Sequence, residues 1–112
     1  MQQFLYLIKP VRTGMLTQGP TEHEAAVVSE HFSHLERLVR DGIVLMAGRT
    51  LNADERTFGI VVFLAESEAR AQELVTSDPA VKQGVMQAEL FPYRIALWSK
   101  IGPPPIESNG GT

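Results

Sequence analysis

Two residues far apart in the chain have side chains that together can move a proton. His31 lies in the run His31-Phe32-Ser33-His34-Leu35-Glu36-Arg37-Leu38-Val39-Arg40-Asp41-Gly42, and Asp78 lies in Ser77-Asp78-Pro79. Imidazole gains and loses a proton near neutral pH without any tuning. A carboxylate beside it fixes its tautomer and raises its basicity. Each residue also has an ordinary reading. A histidine on an apolar stripe is often a core-edge ring bonded to a backbone carbonyl. An aspartate before proline at a helix start is often a cap and nothing more. The residues by themselves leave both readings open.

Other chemistry has weaker signals. His31 and His34 stand three apart and could chelate a metal, but His23 is off their face and no HExxH or carboxylate-bearing set completes a site. The expectation is therefore no metal. There is no phosphate loop, no GxGxxG and no GxSxG, so no cofactor is expected either. Lys9, Arg12, Arg49 and Arg94 can bring positive charge to a cleft, and Phe91, Tyr93 and Trp98 can line one, although a core role is the commoner use of such aromatics. Of these, Arg12, Arg49 and Phe91 are the expected substrate contacts.

The elements that must position His31 and Asp78 follow from pattern. Phe4-Leu5-Tyr6-Leu7-Ile8 reads as a first strand stopped by Pro10, and Val11 to Pro20 as a loop. Thr21-Glu22-His23-Glu24 is a capping box, and it predicts a helix from about Glu22 to Asp41 closed by Gly42. On its wheel Val28, Phe32, Leu35 and Val39 form the centre, Leu38 and Val27 lie to one side, and His31 falls between the groups, pointing at the sheet. His34 sits near the polar boundary. Ile43 to Ala47 reads as a second strand and Thr57 to Ala65 as a third. Ser67 caps a second helix to about Thr76, and Asp78-Pro79 opens a further short turn. Gln87 to Trp98 reads as the last strand, with Pro92 implying an edge or a bulge. The order β-α-β-β-α-β is the ferredoxin-like, α+β arrangement: a four-stranded antiparallel sheet with two helices on one face.

That sheet makes a demand. The third strand carries Phe58, Ile60, Val62 and Leu64 on one face and Val61, Phe63 and Ala65 on the other, so both faces are apolar. Two helices cover one face, and no part of the chain is left over for the second. A second copy packed sheet to sheet, a homodimer, is the expected cover.

Composition narrows the function classes. At 112 residues, 44% hydrophobic and 21% charged, the chain is long enough for one domain with one core. Residues 1–101 are expected to form it, and 102–112, opening with Gly-Pro-Pro-Pro, to be a flexible tail. The net charge is −3 with no basic block, so nucleic acid and anionic membrane are not expected partners. Cysteine is absent, which removes disulfides and thiolate chemistry. No apolar run approaches the ~20 residues of a membrane span, and the first residues lack a signal-peptide pattern. A cytoplasmic protein is the expectation.

The segments Ile8-Lys9-Pro10, His31-xx-His34-Leu35-xx-Leu38-xxx-Gly42-xxxxx-Gly48, Phe58 to Leu64 and Asp78-Pro79-Ala80-Val81-xx-Gly84-Val85 together resemble the YCII-related family of small α+β proteins. The resemblance spans about residues 3 to 98. It implies a ferredoxin-like fold that pairs into a dimeric α/β barrel, and a His–Asp pair facing a cleft, mapped by position to His31 and Asp78. One family member acts in dehalogenating a chlorinated hydroquinone. Relatives on the same barrel include muconolactone isomerases and heme-free monooxygenases. The implied activity is proton transfer on a small cyclic or aromatic substrate, of lyase, isomerase or dehalogenating type. The alternative is a non-catalytic dimer that binds a small ligand or a protein. The Asp-Gly-Pro-Phe signature of a related branch is absent. Arg49 stands where many members have proline, which bears on substrate charge if it borders the cleft.

Overall fold

The computed structural model describes residues 1–104, so the expected tail falls mostly outside the described residues. The elements run β1 (Gln2–Pro10), α1 (Gly14–Thr17), α2 (Glu22–Arg40), β2 (Val44–Arg49), β3 (Gly59–Ala65), α3 (Glu68–Ser77), α4 (Pro79–Lys82) and β4 (Met86–Pro92). The strands form one antiparallel sheet in the order β2-β3-β1-β4. This is the ferredoxin-like α+β topology, with two one-turn helices added at α1 and α4.

β1 is central, and its alternation decides which face is the core. Phe4, Tyr6 and Ile8 are buried, and they pair with Phe63, Val61 and Gly59 on one side and Pro92, Leu90 and Ala88 on the other. Opposed residues share a face, so this row of side chains is the floor on which the helices pack. Phe63 stacks on Phe4 at 5.9 Å and meets the Tyr6 ring edge-on at 5.8 Å.

Helix α2 begins with the expected capping box: the Thr21 hydroxyl accepts from the Glu24 amide, and the Glu24 carboxylate accepts from the Thr21 amide. It ends in a Schellman motif, in which the Gly42 amide donates to the Val39 carbonyl and the Ile43 amide to that of Leu38. Gly42 has φ +74°, a conformation that favours glycine. The buried stripe is rotated from the expected one. Val27 and Leu35 are fully buried, Val28 and Leu38 pack against them, and Phe32 and Val39 are exposed. The centre of the stripe thus moves onto His31, because the helix leans on α4 along one flank and meets β2 along the other.

Three further expectations are corrected. The stretch after β1 is not all loop, since Gly14–Thr17 makes a helical turn that buries Met15. The last strand ends at Pro92, not Trp98. Beyond it the Tyr93 amide donates to the Gln3 carbonyl and the Ile95 amide to Gln3 Oε1. Ile95 and Trp98 then line a shallow groove with Leu45 next to the β2 bulge. The apolar content of 93–98 therefore belongs to a strap across one end of the open sheet face. Part of the chain does cover one end of that face, against the expectation that none is left over for it. Along the rest of it Leu5, Leu7, Met46, Ile60 and Leu64 are only half-buried, and Phe91 is exposed.

Candidate active site

Asp78 sits at the junction of α3 and α4 and serves both. Its amide donates to the Val75 carbonyl, closing α3, and its carbonyl accepts from Val81 and Lys82, opening α4. Pro79 at the first helical position suits this, because its fixed φ matches a helix start and its missing N–H would have had no partner there. One turn later Gly84, at φ +72°, closes a second Schellman motif: Gly84 donates to Val81 and Val85 to Ala80. Ala80 and Val85 are buried in the core. A single helical turn capped at both ends thereby pins the Asp78 backbone.

The Asp78 side chain is fully enclosed, with 0% of its surface exposed. Its Oδ1 accepts from the Ala80 amide at 2.9 Å, and its Oδ2 from the Tyr6 hydroxyl at 2.5 Å. Both oxygens face His31 Nδ1, at 2.7 and 2.9 Å. Burial pushes the carboxyl up, but the hydrogen bond and charge of His31, the Tyr6 hydroxyl and the Ala80 amide outweigh it and hold Asp78 below the usual carboxylate range. An ionised carboxylate only accepts, so Nδ1 of His31 is the donor. The lone pair of the neutral ring is then on Nε2, which has no hydrogen-bond partner among the described residues. The His31 side chain keeps 13% of its surface open. The arrangement is a base with a fixed tautomer and one reachable nitrogen.

The structure brings His31 and Asp78 into contact and adds Tyr6, which is not among the candidates that motif and spacing single out. A signal for Tyr6 was present. It lies between Phe4 and Ile8 on the core face of a central strand, and a buried tyrosine hydroxyl requires a partner. Burial, then the Asp78 charge, then its hydrogen bond to Asp78 all raise the Tyr6 pKa, so the phenol keeps its proton.

His34 lies nearby, with Nε2 enclosed and unpartnered among the described residues. Burial lowers its pKa, Asp78 opposes that shift, and the charges of Arg37 and His31 add to it. Among the described residues no three groups converge as metal ligands would. Arg12 and Phe91 lie away from the dyad. The Arg12 guanidinium grips the Glu24 carboxylate at 2.6 and 2.9 Å and the Gly19 carbonyl at 3.2 Å. Glu24 is two turns of α2 from His31, about 10 Å along the axis. Phe91 pairs with Leu5, on the open face of the sheet. Arg49 is exposed at the end of β2 opposite Gly59, on the face that carries the dyad. His23 is exposed in the first turn of α2.

Fold and site define a class: a ferredoxin-like domain with a histidine held by a buried carboxylate between its helices and sheet. The model of the YCII-related domain matches residues 3–94, and the chain belongs to that family. Among curated proteins none matches. Among solved structures, 5-chloro-2-hydroxyhydroquinone dehydrochlorinase from Burkholderia phenoliruptrix, in complex with 2,5-dihydroxybenzoquinone, is similar in fold. The TM-score is 0.62 at 23% identity, over 82% of this chain and 93% of that one.

Proposed function

We propose that the protein is a small-molecule enzyme in which His31 transfers a proton to or from a small cyclic or aromatic substrate, in a lyase, isomerase or dehalogenating reaction. One observation carries this: a fully buried carboxylate presents both oxygens to Nδ1 of a histidine whose Nε2 is left reachable. Asp78 holds the tautomer and stabilises the imidazolium that forms. The fold neighbour acts on a chlorinated hydroxyhydroquinone and holds a dihydroxybenzoquinone, which supports a ring substrate of that size. In a dehydrochlorination the base takes one proton as chloride leaves, so this dyad suffices for the proton step.

The test is chloride release from a panel of chlorinated hydroquinones and hydroxyhydroquinones. Turnover is expected for the unaltered chain, with a loss of about 10²–10⁴-fold in His31→Gln. Saturable binding of 2,5-dihydroxybenzoquinone with no turnover of any panel member would favour a ligand-binding module instead.

The working form in this reading is a cytoplasmic homodimer, sheet to sheet. The half-buried row Leu5, Leu7, Ile60 and Leu64 and exposed Phe91 support it. Light scattering should give twice the chain mass, and Leu7→Glu, placed in the middle of that row, should give the monomer.

A further inference from the structure

Asp78 has more donors than a simple orienting carboxylate needs. The backbone supplies Ala80 N–H and the dyad supplies His31 Nδ1–H, which already fix its position. The third donor, Tyr6, comes from the central strand of the sheet and makes the shortest of the contacts, at 2.5 Å. The hydroxyl is on Oδ2, and the ring is gripped edge-on by Phe63. Tyr6 is 0% exposed, so it touches no substrate.

We propose that Tyr6 is a positioning residue for the proton-transfer reaction: its hydroxyl locks the Asp78 carboxylate against His31 Nδ1 and draws off part of its charge, so that the Nδ1 proton stays on the imidazole. The physical case is one of competition. A carboxylate shared among several donors binds each less strongly than it would bind one alone. Without the phenol, the Oδ2 charge falls on the Nδ1–H bond, which then shortens and polarises toward the carboxylate. Because Tyr6 stays protonated over the working range, its contribution is constant with pH. Tyr6 also couples the sheet to the helix layer at the reacting group, tying β1, α2 and the α3–α4 junction to one carboxylate. The inference rests on His31 and Asp78 acting as the proton-transfer pair.

The experiment is proton NMR of the His31 Nδ1–H in the full chain, in the unaltered protein and in Tyr6→Phe. The resonance is expected to move downfield in the variant as the bond to Asp78 strengthens. With a turned-over substrate, kcat should change while KM holds, because Tyr6 acts only through Asp78. A second measurement guards against loss of fold: 3-fluorotyrosine at position 6 keeps the ring and makes a stronger donor, so the resonance should move upfield. An unmoved Nδ1–H in the folded 3-fluorotyrosine protein would overturn the proposal and leave Tyr6 as core packing. Failure of the enzymatic reading looks different. It shows as absent turnover in the unaltered chain, while the Nδ1–H resonance still moves downfield in Tyr6→Phe and upfield in the 3-fluorotyrosine protein.

Discussion

Helix α2 is tied to the rest of the protein at two points by contacts of nearly the same length. Near its start Arg12 meets Glu24 at 2.6 Å, and in its middle His31 meets Asp78 at 2.7 Å. The partners on α2 are equally sheltered, Glu24 at 12% and His31 at 13% exposed, and the difference lies in what each of them meets. Arg12 is 44% exposed, so water and salt compete for every hydrogen bond it makes. Asp78 is enclosed and accepts at once from the Tyr6 hydroxyl, the Ala80 amide and His31 Nδ1. Distance therefore says little about what either contact does for the molecule. What matters is what remains behind when one partner is removed: a solvated charge in one case, and three stranded donors in the other.

The largest effect should follow from Asp78→Ala. It removes the acceptor that the Tyr6 hydroxyl, the Ala80 amide and His31 Nδ1–H share in an enclosed site. We expect a loss of about 3–5 kcal/mol in urea unfolding, the range for a broken buried pair. A loss of only about 0.5–2 kcal/mol is what a simple helix cap would give. That result would reduce the node to the cap reading and erase the contrast with the surface pair. Tyr6→Phe should come next, at about 1.5–3 kcal/mol, since it removes one charge-assisted bond and keeps the ring in place against Phe63.

Titration sharpens the comparison, because the node stores stability at both ends of the pH scale. The folded protein holds Asp78 below its ordinary 3.8, so its contribution is complete above that value and is lost as pH falls below it. Tyr6 is raised above its ordinary 10.0, so its contribution is complete below pH 10 and is lost as pH rises further. His34 is lowered from 6.5, so its share is complete above that pH and declines as pH drops beneath it. Stability measured against pH should therefore show an alkaline limb that Tyr6→Phe flattens and an acid limb that Asp78→Asn flattens. Limbs unchanged by both variants would mean that the node does not govern the pH response.

The sequence made one half of the site legible and hid the other. The capping box at Thr21, the Gly42 stop and the Asp78-Pro79 start are local signals, each carried by neighbours along the chain, and all three hold in the structure. His31 could be placed facing the sheet because helical periodicity is also local. The node itself joins β1, α2 and the α3–α4 junction, and no local pattern says that Tyr6 will stand under Asp78. The same limit explains the overrun of the last strand. Apolar residues at 93–98 look like strand, but the pairing with β1 ends with Pro92 and the Tyr93 amide on the Gln3 carbonyl, and the chain then turns across the open face. The rotated stripe of α2 is another tertiary effect. Phe32 and Val39 have the composition of a core and are exposed, while His31 lies between the buried Val27 and Leu35.

The smallest effect should come from Arg12→Met, and it tests the comparison from its other side. The Arg12 hydrogen bond and the Thr21 amide hold the Glu24 carboxyl down to about 2. Yet Arg12 is open to water, and removing its guanidinium uncovers the Glu24 carboxylate, which still accepts from the Thr21 amide, so solvent can take up the freed oxygen. The unfolding midpoint in low salt should therefore move less than for any change in the node. At about 1 M salt, where the screening length is about 3 Å, the difference between Arg12→Met and the unaltered protein should close. A loss that persists in high salt would mean that Arg12 works by holding the loop through the Gly19 carbonyl and not by charge. The contrast between the two anchors of α2 would then be one of geometry, and burial alone would no longer rank them.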